Sequence, residues 1–320
     1  MDFKTRMTIK LERFMRRHVY YTPYYEREHL PNSTPPEVFN KFGEKLSVFF
    51  LADVECALSP YDFGSPRSRC ILWDRYNFGL KTHFYTHDEA FNTVGKPDRR
   101  FAVLAESRAI RPRDYTKYIR EKSYIENEFE AVFTFDDEIL DSFKNAKFLP
   151  FSASYWFDIS QSNTPKTKNI SMLASAKRMC EMHTVRKNLA FKCKRDGLAD
   201  TFGTFDGGSY AVLEDTLRDY RFSIVVENDI TQLYFTEKIT NCFASKTIPV
   251  YLGASRIGDY FNADGIIQIS LKDIDNIEAV LSQCTPEEYE RRLPAVLDNF
   301  ERVKEYENMN DYLYRKYLQE

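Results

Sequence analysis

The chain has 320 residues, 43% of them hydrophobic and 15% aromatic, which is enough to fill two domain cores and excludes a disordered chain. With 45 basic and 48 acidic residues the net charge is −3, so no overall field favours nucleic acid or an anionic membrane. Six cysteines without a CxxC spacing predict reduced core thiols, and five scattered histidines give no metal signature.

The first segment of the chain is basic, with six lysines and arginines between Met1 and Arg17. No signal-peptide core follows, and no apolar run reaches the ~20 residues of a membrane span, so we expect a cytoplasmic protein. A solvated first helix is the simpler interpretation of the basic segment. The alternative is a basic amphipathic helix in peripheral contact with a membrane surface.

Short apolar runs next predict an α/β half. Its predicted strands are 47–52, 70–73, 101–105, 131–135 and 147–149, and its predicted helices are 114–125 and 137–143. Residues 58–69, which contain prolines and a glycine, are a predicted loop and a candidate acceptor contact. Phe84-Tyr85-Thr86 suits a strand, in which His83 and His87 would lie too far apart to share a metal.

The polar stretch SQSNTPKTK at 160–168 is the predicted linker to a second α/β half. We therefore predict an acceptor-binding domain at 1–160, a nucleotide-sugar domain at 161–290, and a C-terminal helix at 291–320 that packs back on the first domain. Strands are predicted near 170, 199–203, 222, 248 and 266. Thr285 is a predicted N-cap, and Pro294 is predicted to interrupt the last helix.

A strand, helix, strand unit between 220 and 269 is the most informative segment. The apolar strand 222–226 ends abruptly at Glu227-Asn228-Asp229, and a polar edge of this kind is where open α/β sheets bind ligands. Glu237 and Lys238 fall in the first turn of the following helix, where free N–H groups and the helix dipole attract anions. The unit therefore predicts a site for a phosphate-bearing ligand, although a solvated loop and helix start would give the same spacing.

The order of these motifs resembles the donor-binding signature of the α-1,3-fucosyltransferases, family 10 of the glycosyltransferases. The resemblance rests on EN, then Tyr234, TEKI, TIPVYLGA and FN, and it is weak over the first ninety residues. It implies two Rossmann-like domains facing a cleft, the GT-B architecture, and an inverting transfer of L-fucose from GDP-β-L-fucose to a glycan hydroxyl. It is closest to the soluble bacterial or viral form of the family.

The resemblance also assigns roles by position. Glu237 would hold sugar hydroxyls and Lys238 the phosphates. Arg186 matches a family arginine that precedes a helix and would be the second cation, although a helix-borne arginine is more often solvated. The full predicted donor site is Arg186, Asn228, Tyr234, Glu237, Lys238, Lys177, Ser175 and Glu227.

Glu106 follows the predicted strand 101–105, where family members carry the catalytic carboxylate. The proline here is Pro112, farther away than in the family pattern, and an ion pair with Arg99, Arg100, Arg108 or Arg111 is the alternative role. Inverting transfer needs one base. Lys238 and Arg186 could take the place of a divalent metal, so no cofactor beyond the donor is predicted, although a metal is not ruled out.

Two other functions remain open at this point. One keeps the fold and uses another nucleotide sugar, and the other is a non-catalytic module that binds a sugar nucleotide or glycan. A nicotinamide dehydrogenase is disfavoured because no GxGxxG follows a predicted strand.

Overall fold

The computed structural model describes residues 38–53, 68–75 and 77–319, together with Met7 and Leu11. The predictions for the basic N-terminal segment, for Cys56 and for most of the loop 58–69 lie outside the described residues.

Contacts divide the chain into two units. The first contains the described residues up to Ala105, then Arg113–Leu149 and the residues from Asn310 onward. The second contains Glu106–Pro112 and Pro150–Met309. The chain therefore passes between units after Ala105, Pro112, Leu149 and Met309, and not at the predicted positions 160 and 290.

The first unit is built on a parallel six-stranded sheet in the order β2-β1-β3-β4-β5-β6. Its strands are β1 (Ser47–Ala52), β2 (Ile71–Asp74), β3 (Thr82–Thr86), β4 (Arg99–Val103), β5 (Ala131–Thr134) and β6 (Ala146–Phe148). Its helices are α1 (Pro112–Arg120), α2 (Lys122–Glu128) and α3 (Asp137–Ser142), with a 3-10 turn at His87–Phe91. The predicted helix 114–125 is thus two helices, because the backbone leaves the helical region at Glu121.

The C-terminal residues pack on this first unit. After α10 (Met309–Leu313) comes a single π turn, Tyr314–Leu318. The Asp311 carboxylate accepts the N–H groups of Arg69 at 2.9 Å and Cys70 at 3.0 Å. The Tyr317 hydroxyl donates to the carbonyl of Phe148 at 2.6 Å. The residues from Asn310 onward therefore pack on the first unit as predicted, whereas 291–309 belong to the second.

The second unit is built on a parallel five-stranded sheet in the order β11-β10-β9-β7-β8. Its strands are β7 (Lys168–Leu173), β8 (Asp200–Phe202), β9 (Tyr220–Val226), β10 (Ile248–Leu252) and β11 (Ile267–Gln268). Its helices are α4 (Glu181–Asp196), α5 (Leu213–Leu217), α6 (Glu237–Ala244), α7 (Leu271–Asp275), α8 (Ile277–Leu281) and α9 (Pro286–Val303), with 3-10 turns at Ile159–Gln161, Ile257–Asp259, Ala263–Gly265 and Lys304–Tyr306. Two α/β units with parallel sheets confirm the predicted fold class.

The stretch 160–168 is part of the second unit and not a linker, which corrects the prediction. Asp158 caps the turn Ile159–Gln161 by accepting the N–H of Ser160 at 3.0 Å. Farther along, the Lys166 amine is buried against carbonyls of the second unit. The polar composition predicted a linker because composition alone does not show whether a polar side chain is hydrated or hydrogen-bonded within the domain.

Helix α9 begins as predicted, with the Thr285 hydroxyl accepting the N–H of Glu288 at 3.2 Å. The predicted interruption at Pro294 is wrong, because the helix continues through it. A proline inside a helix costs about 3 kcal/mol. Buried contacts on both sides offset this cost, among them the Asn299 side chain, which bonds the N–H and C=O of Asn262 at 2.6 and 2.9 Å.

Five cysteines in the described ranges are free thiols, and three of them, Cys193, Cys242 and Cys284, are buried. Within those ranges, the helices are all too short or too polar to cross a membrane.

The Lys166 amine forms hydrogen bonds at the C-terminal ends of two helices in the second unit. Its amine donates to the carbonyls of Leu217, Arg218 and Ser245 at 3.0, 3.0 and 2.7 Å, and to the Thr247 hydroxyl at 3.0 Å. Leu217 ends α5 and Ser245 follows α6. The amine thus satisfies carbonyls that helix ends leave without intrahelical partners.

We expect Lys166→Met to lower the free energy of unfolding by about 2 kcal/mol, because buried carbonyls lose their donor. Burial lowers the pKa of Lys166 from 10.5 to about 7. Between these two pH values the unfolded chain binds more protons, so stability should rise with pH, by about 1 kcal/mol per pH unit. Urea denaturation at several pH values measures both effects. The exposed Lys272→Met is the control, and the same pH slope in Lys166→Met would contradict the assignment.

Candidate active site

A cavity of about 500 Å³ opens in the second unit, beyond the carboxyl ends of β7, β8 and β9. This is the edge at which parallel α/β sheets bind ligands. The predicted residues that line the cavity are Glu106, Ser175, Lys177, Arg186, Asn228, Tyr234, Glu237 and Lys238. Glu227 does not line it but lies behind it with no exposed surface. The structure therefore brings the whole predicted set to one place.

Glu227 is the first residue after β9, and its carboxylate holds the start of α6. It accepts the backbone N–H of Thr236 at 2.9 Å and the hydroxyl of Thr236 at 2.8 Å. The Lys238 amine lies 3.5 Å away. Burial raises the pKa of Glu227, while Lys238 and the two bonds from Thr236 act in the opposite direction. A buried carboxylate of this kind persists because its oxygens are bonded and a cation is near.

Thr236 is the N-cap of α6, and the sequence analysis did not select it. Its hydroxyl oxygen accepts the backbone N–H of Lys238 at 3.3 Å and the Lys238 amine at 3.0 Å. Burial acts to lower the pKa of Lys238, but Glu237 and Glu227 outweigh it, so the pKa is raised and the amine is charged. A threonine directly before a helical glutamate is a typical cap, and that signal could have identified it.

Gly253, in the TIPVYLGA segment, leaves room for the buried carboxylate. A Cβ there would lie 2.3 Å from the Tyr251 hydroxyl and 2.6 Å from Cγ of Glu227. Gly203, which lines the cavity, has φ +98°, and a Cβ there would collide with the carbonyl oxygen of Ala174. Both contacts are shorter than side chains tolerate, so each position requires glycine.

Arg186 extends from α4 into the cavity and is only 8% exposed. One terminal nitrogen donates to Oδ1 of Asn228 at 2.6 Å. Its Nε is buried and has no hydrogen-bond partner among the residues that the structure describes. Burial lowers the pKa of the guanidinium and Glu227 and Glu237 raise it, but an arginine remains charged in either case. A buried donor without a protein partner is a group that a bound ligand or an ordered water can satisfy.

Glu106 reaches this site on a segment, Glu106–Pro112, that packs with the second unit. Its carboxylate accepts the N–H of Ser107 at 2.7 Å. The N–H of Ala109 donates to the carboxylate of Asp229 at 3.0 Å, so the segment is fixed to the turn that follows β9. Arg99 was one of the alternative ion-pair partners for Glu106. Its guanidinium instead donates to the Glu130 carboxylate at 2.7 Å. Asp229 was not a predicted site residue, and only its position after Glu227-Asn228 pointed to it.

Tyr234 lines the cavity and is 1% exposed. Burial raises its pKa far above the usual range, and Glu227, Glu106 and Glu237 act in the same direction. The phenol is therefore protonated and can donate a hydrogen bond. At the cavity wall two exposed aromatic side chains, Trp156 and Tyr210, were missed by the sequence analysis because neither belongs to a recognisable motif.

Residues 163–285 match the family model described as glycosyltransferase family 10 (fucosyltransferase), C-terminal region. A crystal structure of an α1,3-fucosyltransferase with GDP is similar over 88% of this chain and 93% of its own, with 14% identity and a TM-score of 0.51. One of an α1,3-fucosyltransferase with GDP-fucose covers 88% and 94%, with 15% identity and a TM-score of 0.49. No protein with a curated description matches the sequence.

At 14% identity the structural likeness shows the fold alone, and the fold is that of the GT-B glycosyltransferases. The family match, together with two parallel α/β units, makes this chain a glycosyltransferase. Residues 163–285 are similar to the C-terminal region of family 10, the same family that the motifs between 220 and 262 resemble.

We expect Thr236→Val to lower the free energy of unfolding by about 2–4 kcal/mol, because it removes both a helix cap and a donor to the buried Glu227 carboxylate. Thr236→Ser keeps the hydroxyl and should lose about 1 kcal/mol or less for one methyl group. Thermal and urea denaturation measure the difference. Equal stabilities of the two variants would mean that the hydroxyl does not support Glu227.

Proposed function

We propose that this glycosyltransferase moves L-fucose from GDP-β-L-fucose to a hydroxyl of a glycan acceptor, with inversion at the anomeric carbon. The observation that carries the proposal is the common cavity, which is lined by the cations Arg186 and Lys238 and by the Glu106 carboxylate. The family match supports fucose as the sugar, since its model is described as fucosyltransferase.

In the proposed reaction Glu106 takes the proton from the acceptor hydroxyl as its oxygen attacks the anomeric carbon. The bond from that carbon to the diphosphate oxygen breaks, and its electron pair leaves with GDP. The transition state has oxocarbenium character, as in glycoside hydrolysis. Negative charge grows on the diphosphate, so fixed cations aimed at it lower the barrier.

Arg186 and Lys238 are placed for this electrostatic role. The unpartnered Nε of Arg186 offers a donor that no described residue accepts, and Lys238 stands in the first turn of α6, where the helix dipole also favours an anion. Glu237, beside Lys238 on the cavity wall, would accept the hydroxyls of the sugar. Two positioned cations can supply the charge that a divalent metal supplies elsewhere, so we propose transfer without a required metal.

Two alternatives differ from this proposal in measurable ways. An enzyme for another nucleotide sugar would bind a UDP-sugar or a different GDP-sugar more tightly than GDP-fucose. A module that binds without catalysis would bind the donor and show no turnover with any acceptor. The Glu106 variant below addresses the second alternative, and a donor panel addresses the first.

Replacement of the proposed base, Glu106, should lower turnover and leave donor binding unchanged. We expect Glu106→Gln to lower kcat by roughly 10²- to 10⁴-fold, the usual contribution of general base catalysis, and to leave GDP-fucose affinity within about twofold. Transfer is followed by GDP release, and affinity by calorimetry. Glu130→Gln, an exposed carboxylate paired with Arg99, is the matched control. Wild-type kcat in Glu106→Gln would exclude Glu106 as the base.

Replacement of Lys238, the proposed phosphate-binding cation, should weaken the binding of the nucleotide. We expect Lys238→Ala to weaken GDP and GDP-fucose binding by about tenfold or more, since a charged hydrogen bond to phosphate is worth ~1.5–3 kcal/mol. Ligand-induced rise of the melting temperature measures this for GDP, UDP, CMP and their sugars. Lys272→Ala, an exposed lysine outside the cavity, is the control. Stabilisation of the wild type by none of these nucleotides would overturn the proposed function.

A further inference from the structure

His183 lies on the cavity wall and is 4% exposed, yet the reaction above gives it no role. It is one helical turn before Arg186 on α4, and both side chains meet Asn228. Its Nε2 is 3.1 Å from Oδ1 of Asn228, and Arg186 Nη2 is 2.6 Å from the same atom.

The hydrogen bonds of His183 define its tautomer. The backbone N–H of Met179 donates to its Nδ1 at 3.0 Å. A backbone N–H can only donate, so Nδ1 carries the lone pair and the proton is on Nε2. Nε2–H therefore donates to Oδ1 of Asn228.

The same reasoning fixes the orientation of the Asn228 amide. Arg186 has only donors, and His183 Nε2 is a donor, so the Asn228 atom that both approach must be the carbonyl oxygen. Because both donors approach Oδ1, the amide nitrogen of Asn228 points away from Arg186 and His183. Asn228 lines the cavity, and no protein acceptor for that nitrogen is found in the described ranges. An amide nitrogen can only donate, so its ligand partner must be an acceptor such as a phosphate oxygen.

We propose that His183 is a positioning residue that, with Arg186, holds the Asn228 amide so that its nitrogen donates to the diphosphate of the donor. The inference rests on the proposed function only for the identity of the nucleotide. The contact with the diphosphate can be tested separately, with inorganic diphosphate as the ligand.

The neutral form of the ring is consistent with this role. Burial lowers the pKa of His183, and the neighbouring Arg186, Lys177 and Lys238 lower it further, while the bond to Asn228 raises it. These charges come from α4 itself, from the turn before it and from α6. A protonated ring would carry hydrogen on both nitrogens and would lose the bond from Met179.

Three variants test the inference. His183→Leu removes the donor to Asn228, and His183→Gln places an amide nitrogen near the position of Nε2 and keeps it. Thr184→Leu, at the adjacent exposed position of α4, is the matched control. Circular dichroism confirms that each variant is folded.

Calorimetry with inorganic diphosphate, GDP and guanosine then measures the effect. We expect His183→Leu to weaken diphosphate and GDP binding by roughly tenfold, equivalent to about 1.4 kcal/mol, and His183→Gln to stay within about threefold of wild type. Guanosine, which lacks the diphosphate, should bind all variants equally. Unchanged diphosphate affinity in His183→Leu, or an equal loss for guanosine, would overturn the inference.

A spectroscopic readout is independent of any ligand. ¹⁵N shifts of the His183 ring should show the Nε2–H tautomer at neutral pH, and the Nδ1–H tautomer would overturn the inference whatever the variants do. Wild-type protein that binds diphosphate but not GDP would refute the proposed donor and leave the role of His183 intact. Binding of neither would overturn both.

Discussion

One buried carboxylate, Glu227, organises the candidate active site. A charge with no exposed surface is tolerated only where its oxygens are bonded and a cation stands near. Thr236 supplies both bonds and Lys238 the charge, so the N-terminus of α6 is held against the end of β9. The ligand-facing residues of that helix turn, Glu237 and Lys238, take their positions from this contact.

Two cations of the cavity, Lys238 and Arg186, have different neighbours. Lys238 already lies between two carboxylates, Glu227 at 3.5 Å and Glu237 at 3.2 Å. Arg186 is bonded instead to Asn228, a neutral amide. Of these two cations, Arg186 therefore has the less directly compensated charge. A bound anion gains more there than at Lys238, since burial reduces screening by water.

The sequence was sufficient for features that depend on local pattern. The strand, helix, strand unit between 220 and 252 follows from hydrophobic periodicity, and the Thr285 cap from residue types three apart. The helix interruption predicted at Pro294 and the linker predicted at 160–168 were wrong, because contacts with residues distant in sequence override local preference. His183 carried no signal and Asp229 only its place at the end of the strand, since each acquires its role from a partner that is remote in sequence, Asn228 for one and Ala109 for the other.

The bond between Asp229 and Ala109 has a consequence for protein engineering. Asp229 lies inside the region 163–285 that matches the family model, and Ala109 lies outside it. A chimera that exchanges only this region would give the Glu106 segment a foreign anchor. Donor preference could change as intended while the carboxylate lost its alignment. A successful exchange would have to include residues 106–112, so the functional module of this enzyme is discontinuous in sequence.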